Sequence, residues 1–202
     1  MIKIGLTGGI GSGKSVVSSL LKVLGVPVYI ADTESKRLTQ TSPIIRKQLI
    51  SLLGETIYCG EEINKKRLAS LIFNDMECRD KVQAIIHPEV NRHFLAWAAQ
   101  QTVPVCAIET AILFESGFSR SVDVCVTVYA PTELRIERVM LRDGITREEV
   151  VRRINSQMSD KERRKFSDYE ICNDGKQALL PQINAIIAGI SPSEAFAVHP
   201  RR

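Results

Sequence analysis

The side chains best suited to chemistry lie near the amino terminus, between Gly8 and Ser15. This segment has the P-loop spacing, in which four residues separate a glycine from the sequence Gly-Lys-Ser. Glycines let backbone N–H groups surround a phosphate, the lysine adds a mobile positive charge, and the serine hydroxyl is a ligand for Mg²⁺. The alternative is a glycine-rich turn, which would not need Lys14 and Ser15 at these offsets. The segment therefore predicts transfer of a phosphoryl group from a bound nucleotide.

The segments on either side of the P-loop have the patterns that this motif requires. Residues 2–7 are apolar and partly β-branched, which predicts a strand, and residues 16–24 repeat apolar side chains at helical spacing. A helix that starts here directs its positive end toward the loop. The residues expected to bind the nucleotide through this loop are Gly9, Ile10, Gly11, Ser12, Gly13, Lys14, Ser15 and Val16.

The composition limits the classes of protein to which the chain can belong. Its 202 residues, 44% hydrophobic and 25% charged, suit one α/β domain with an insertion but not two large domains. The net charge of +4 suits a small anionic ligand better than nucleic acid. The five cysteines form no CxxC pair, which indicates reduced thiols. With no secretion signal and no membrane span, we expect a cytoplasmic protein without a membrane partner.

Four further apolar segments predict the remaining strands of a parallel sheet, at 26–30, 103–109, 122–129 and 167–172. The alternation with helices predicts an α/β fold with a five-stranded parallel sheet, helices on both faces and a site at the carboxyl ends of the strands. Residues 33–101 show an almost wholly helical pattern, far longer than a crossover needs, so we expect an inserted helical domain with a substrate surface. The charged helix around 160–165 predicts a mobile lid with a solvent-facing Lys161–Lys165 segment, and we expect the tail, 191–202, to be frayed.

Asp32 follows the second predicted strand, at the edge where an α/β fold exposes its working residues. A carboxylate there could accept the proton of an attacking hydroxyl, so Asp32 is the candidate general base. Two alternatives stay open: a helix N-cap for the segment that starts at Thr33, or a contact with Mg²⁺ through water.

Three arginines, Arg135, Arg138 and Arg142, recur at helical spacing and could share one face, toward an anion or toward solvent. Arg142 is the candidate for binding the transferring phosphate oxygens, with Arg138 and Arg153 as second choices. The alternative for any one of them is a solvated helix face.

At several separate places the sequence resembles the dephospho-coenzyme A kinase family. The P-loop alone occurs in many ATPases and GTPases, whereas the His-Pro segment, the Arg-Asp-Gly turn and the Gln-Met helix in this order are more specific. The matching segments are 6–15, 31–32, 85–90, 113–115, 142–146, 153–158 and 173–175. The chain departs from the family pattern at Val16, Ile30 and Asn91, where threonine, aspartate and arginine are common.

The resemblance implies that the protein transfers the γ-phosphate of ATP, with Mg²⁺, to the ribose 3′-hydroxyl of dephospho-coenzyme A. It implies a coenzyme-binding domain at 33–101 and a lid at 138–166, with 1–32, 102–137 and 167–202 as the nucleotide-binding core. Its partners would be these small molecules, and we expect a monomer or a weak homo-oligomer.

The resemblance also implies residue roles. The acceptor would be bound by Asp32, His87, Arg92, Leu113 and Glu115. Asn173 and Gly175 would contact the adenine of ATP, although Asn-Asp-Gly is also a good turn sequence. His87 lies next to Pro88, which we expect to interrupt a helix, and its alternative role is a structural hydrogen bond.

Other classes of protein share the P-loop. A nucleotide kinase would have a similar lid and a different helical insertion. A regulatory ATPase or GTPase would hydrolyse nucleotide slowly without an acceptor and dock a partner on the insertion, but the guanine-binding Asn/Thr-Lys-x-Asp motif is absent from the sequence. A nucleotide-binding scaffold would have no use for the lid arginines.

Overall fold

A computed structural model describes residues 1–190, except for the side chain of Asn74; the predicted frayed tail, 191–202, lies outside the described residues. Within this part of the chain the strands are β1 (Ile2–Thr7), β2 (Val28–Ile30), β3 (Tyr58–Cys59), β4 (Glu62–Ile63), β5 (Val105–Glu109), β6 (Val124–Tyr129) and β7 (Tyr169–Cys172). The helices are α1 (Lys14–Val23), α2 (Ala31–Thr41), α3 (Pro43–Leu53), α4 (Lys65–Asn74), α5 (Met76–Ala99), α6 (Thr132–Asp143), α7 (Arg147–Asn155), α8 (Asp160–Phe166) and α9 (Leu179–Gly189).

The predicted five-stranded parallel sheet is confirmed, in the order β2-β5-β1-β6-β7. β1 lies at its centre, with Ile2 opposite Val105 of β5 and Ile4 opposite Val124 of β6. Because parallel strands end at one edge, the loops after β1, β5 and β6 open on the same side of the sheet. The P-loop therefore follows the central strand.

The chain divides into two compact units, one formed by Met1–Val28 with the residues from Thr102 onward, and the other by Tyr29–Gln101. In the first unit, apolar residues of β1 and α1 pack with α9, and Val17 and Ile183 are among the most buried. The predicted lid segment, 138–166, lies inside this first unit. None of the helices described between residues 1 and 190 is long and apolar enough to cross a membrane.

The second unit is mainly helical but not as wholly as predicted, because β3 and β4 form a short antiparallel hairpin. The predicted interruption at Pro88 was also wrong: α5 continues through this residue. Pro88 cannot donate the backbone hydrogen bond of its turn. Buried side chains on both sides of it, including Val82, Val90 and Phe94, hold the helix together.

All five cysteines are free thiols, as expected. Cys106 and Cys125 lie buried in β5 and β6, and Cys59 is exposed in the hairpin of the second unit. Burial raises the pKa of the Cys106 thiol, which keeps it protonated and unreactive.

Candidate functional site

The P-loop joins β1 to α1, and Lys14 is the first residue of the helix. Its Nζ lies 3.0 Å from Oε1 of Glu109, the last residue of β5. The other Glu109 oxygen accepts a hydrogen bond from the Ser18 hydroxyl. The Lys14 and Glu109 side chains are only 15% and 8% exposed, so this ion pair is largely shielded from solvent. It fixes the end of the Lys14 side chain at the carboxyl end of β5.

Glu109 is the site residue that sequence reasoning missed. The available signal was the one used for Asp32, an acidic residue at the end of a predicted strand. Glu109 lies beside the P-loop because β5 pairs directly with β1, and the strand pattern alone did not establish this pairing.

Ser15 follows Lys14 in the first turn of α1 and is exposed, with Val16 beside it. The Ser15 hydroxyl is a hard oxygen donor of the kind that Mg²⁺ prefers, its exposure leaves it accessible to an ion, and Mg²⁺ typically takes few protein ligands besides nucleotide phosphates. The residues present therefore fit the predicted ion.

Asn173, predicted to contact adenine, lies beside the P-loop. Its side-chain Nδ2 donates to the backbone oxygen of Ser12 at 2.8 Å, and its backbone oxygen accepts from Nη1 of Arg138 at 3.1 Å. Gly175 lies in a turn that the Asp174 carboxylate stabilises by accepting two backbone N–H groups. The structure thus gives Asn173 a role in fixing the loop, and the adenine contact stays a prediction.

Arg142 lies one turn after Arg138, at the exposed end of α6. Its guanidinium donates twice to Asp143, at 2.7 and 3.0 Å, and 62% of its side chain is exposed. Arg153 approaches the same carboxylate at 3.4 Å. Hydrogen bonds from Arg142 hold the pKa of Asp143 below its usual value. A phosphate contact for Arg142 stays a prediction, and in this structure it forms a surface ion pair.

The two predicted residues of the 113–115 segment have different environments. Leu113 is fully buried, and its side chain fills the space next to the backbone of Gly5. Apolar packing rather than ligand binding therefore explains Leu113. Glu115 is exposed. Burial lowers the pKa of Arg163, and the charges of Asp160 and Glu115 oppose this shift.

In the second unit, Asp32 is exposed in the first turn of α2. The helix begins at Ala31 and Ile30 is its N-cap residue, so Asp32 does not cap a helix that starts at Thr33. The exposed position of Asp32 leaves it free to meet a substrate hydroxyl.

Arg92 is fixed by a buried neighbour on α5. It donates from Nε and Nη2 to Glu89 at 2.9 and 2.8 Å, and Glu89 also accepts from the Ser42 hydroxyl at 3.1 Å. Hydrogen bonds from Arg92 are the main reason that the pKa of Glu89 lies below its usual value. His87, half-buried on the same helix, has a pKa lowered by burial, which favours the neutral imidazole.

A cavity of about 1030 Å³ lies within the second unit, next to α2. Its polar lining includes Lys36, Lys65 and Lys66, and its apolar lining includes Leu68 and Ile72. Such a surface suits a ligand that combines anionic groups with an apolar chain.

Comparisons of sequence with known proteins agree on one family. A family model described as dephospho-CoA kinase matches residues 2–178. A dephospho-CoA kinase of Bacteroides fragilis is 50% identical over 188 residues, which are 93% of this chain and 92% of the relative. A Thermus thermophilus crystal structure has 34% identity and a TM-score of 0.81, with 94% of this chain and 98% of the other covered. A Campylobacter jejuni dephospho-CoA kinase structure, at 23% identity, TM-score 0.67 and coverages of 95% and 98%, supports the fold alone.

Proposed function

Because the chain belongs to the dephospho-CoA kinase family, we propose that it transfers the γ-phosphoryl group of ATP to the ribose 3′-hydroxyl of dephospho-CoA. This reaction is the last step of coenzyme A biosynthesis, and the enzyme is a phosphotransferase with an alcohol acceptor. The observation that supports the mechanism best is the shielded Lys14–Glu109 pair in the P-loop. It presents a lysine where the β- and γ-phosphates of a P-loop nucleotide lie.

The donor site uses the first unit. N–H groups of the loop and Lys14 would bind the phosphates, and the Ser15 hydroxyl would hold Mg²⁺. When bound with ATP, Mg²⁺ neutralises charge on the β- and γ-phosphates. Glu109 also restrains the Lys14 side chain before nucleotide binds, which reduces the side-chain entropy lost on binding.

The acceptor site uses the second unit. Asp32, Lys36 and Thr39 recur at helical spacing on α2, so they share a face, and the last two line the cavity. Asp32 and Lys36 are about 6 Å apart along the helix axis. A ribose hydroxyl at Asp32 would therefore bring the diphosphate of the same nucleoside near the cavity lysines. The apolar part of the cavity would take the pantetheine chain.

Removal of the two lysines on α4 tests this acceptor site. We expect the Lys65→Ala/Lys66→Ala double variant to raise the KM for dephospho-CoA about tenfold, because charge-assisted contacts to the diphosphate are lost. The KM for ATP and kcat should stay close to wild type. The matched control is Lys47→Ala on α3, an exposed lysine that does not line the cavity. An unchanged acceptor KM in the double variant would exclude this cavity as the diphosphate site.

The proposed reaction is tested by incubating the pure protein with ATP, Mg²⁺ and either dephospho-CoA, adenosine monophosphate or no acceptor. We expect ADP release only with dephospho-CoA, and mass spectrometry should identify coenzyme A as the second product. Transfer to adenosine monophosphate would instead indicate a nucleotide kinase, and release without acceptor a regulatory ATPase. The oligomeric state and the cytoplasmic location stay predictions.

A further inference from the structure

Ile10, at the tip of the P-loop, is bound through both its polar backbone groups and its side chain. Its N–H donates to Oε1 of Gln157 at 2.9 Å, and its carbonyl oxygen accepts from Nε of Arg135 at 2.8 Å. Its side chain packs against an apolar cluster formed by α6 and α7, whose buried members are Ile136, Val139 and Val150. The N–H of Ile10 is therefore committed to protein contacts rather than to phosphate in this structure.

The glycines on either side of Ile10 also rest on Arg135. A Cβ on Gly9 would lie 2.3 Å from Nη2 of Arg135, and a Cβ on Gly11 would lie 2.6 Å from the Arg135 carbonyl oxygen. Both distances are far shorter than a carbon atom tolerates. The three-residue tip of the loop, Gly9 to Gly11, is thus shaped to the surface of one arginine.

Arg135 is itself held by a buried charge cluster, Arg135–Asp160–Arg163. Its Nη1 donates to Oδ2 of Asp160 at 2.6 Å, and the other Asp160 oxygen accepts from Nη1 of Arg163 at 2.8 Å. The two arginines are 2% and 1% exposed. Two buried cations therefore share one carboxylate, and its removal would take away the charged partner to which both donate.

We propose that Arg135 and Asp160 are positioning residues for phosphoryl transfer. Through Ile10 they set the shape of the P-loop, and this shape depends on the position of the first turn of α8. This proposal rests on the proposed use of the P-loop for ATP. Asp160 opens α8, and Gln157 lies in the turn between α7 and α8, so both groups that fix Ile10 depend on this segment. Motion of the α7–α8 segment would release the Ile10 N–H from Gln157 and would remove the carboxylate that holds Arg135 against the Ile10 carbonyl.

The physical reason for an effect on ATP is preorganisation. A loop held in its phosphate-binding shape loses little freedom when the nucleotide binds, whereas a released loop must be ordered at the expense of affinity. The acceptor does not touch this loop in the proposed mechanism. The pair should therefore affect ATP binding and transfer without affecting the KM for dephospho-CoA.

The test measures ATP affinity by calorimetry, steady-state rates and thermal unfolding in Asp160→Asn, Arg135→Met and the double variant. We expect Asp160→Asn to raise the Kd for ATP about tenfold with an acceptor KM within about twofold of wild type. The double variant should bind ATP no more weakly than the worse single variant, because both changes break one connection. Asp160→Glu, which keeps the charge, should recover part of the affinity.

Arg147→Met is the matched control. It breaks an exposed two-hydrogen-bond pair between Arg147 of α7 and Glu133 of α6, at 2.8 Å, which does not reach the P-loop. We expect ATP affinity to stay within about twofold of wild type in this control.

Two results would overturn the proposal: folded variants that bind ATP like wild type, or equal losses in ATP affinity and acceptor KM, which would indicate general destabilisation. If Asp160→Asn does not fold, the double variant, which removes one unpaired cation, decides between the same outcomes. If the proposed function itself fails, wild type will not transfer phosphate to dephospho-CoA, whereas failure of the present proposal leaves that transfer intact.

Discussion

Lys14→Ala is expected to lower kcat about 10³-fold, because it removes the lysine of the P-loop, whose positive charge stabilises the negative charge on the phosphate oxygens in the transition state. The KM for dephospho-CoA should change little, since Lys14 belongs to the donor site. The measurement is steady-state ADP release at saturating ATP and Mg²⁺. A rate near that of wild type would remove Lys14 from the mechanism.

The structure adds a stability effect to this substitution. Without Lys14, the Glu109 carboxylate stays buried and retains only the Ser18 hydroxyl as a partner. A buried charge that loses its partner costs about 3–5 kcal/mol, which lowers Tm by roughly 10 °C in a protein of this size. A low rate in Lys14→Ala alone would thus combine a chemical and a structural cause.

The double variant Lys14→Ala/Glu109→Gln separates the two causes. A neutral amide at 109 needs no cation, so we expect Tm to recover toward wild type while kcat stays about 10³-fold low. Glu109→Gln alone is the control, because it keeps Lys14 and tests the carboxylate. Recovery of both Tm and rate in the double variant would show that Lys14 acts only by stabilising the fold.

The sequence was most informative where function depends on adjacent residues. Gly8 to Ser15 form one short loop that ends in the first turn of α1, so their types and spacing alone predict a phosphate site. The predicted strands needed no partner information either, because both faces of a buried parallel strand are apolar. The fold class followed from these two local signals.

Residues whose roles depend on distant partners were not predictable in this way. Arg135 lies on the predicted arginine face, but arginines are rarely buried, and its burial depends on Asp160 and on Ile10, 125 positions earlier. Along that face exposure rises from Arg135 through Arg138 to Arg142, so the arginine favoured from the sequence is the one nearest to solvent. The spacing of the arginines identifies a face of α6, but the packing of distant residues decides which of these side chains are buried.

The hydrophobic pattern of the sequence also could not predict the shortest strands. β3 and β4 have two residues each, too few for a period-two alternation to be distinguished from helix. At Pro88 the sequence predicted an interruption where the helix continues. A proline costs about 3 kcal/mol inside a helix, and the packing of the turns around it can offset this cost.

Asp32→Asn tests the activation of the acceptor hydroxyl. We expect kcat to fall about 10²-fold, the lower end of the range for general base catalysis, because a loose transition state transfers the proton late. The Kd for ATP should be unchanged, since Asp32 lies outside the P-loop. Stability should change by less than about 1 kcal/mol, because the side chain is exposed and its stabilising interaction with the helix dipole is small. Rates, calorimetric ATP affinity and Tm measure the three quantities.

Glu34→Gln provides the matched control, since Glu34 is the other acidic residue in the first turn of α2 and pairs with Arg37 instead. A magnesium titration then separates the two roles left open for Asp32. If Asp32 holds Mg²⁺ through water, high Mg²⁺ should restore most of the rate of Asp32→Asn, because mass action compensates for a weakened site. If it is the base, the rate stays low at every Mg²⁺ concentration, since no added cation replaces the lost proton acceptor. Equal losses in Asp32→Asn and Glu34→Gln would contradict both roles and indicate only that the helix start needs negative charge.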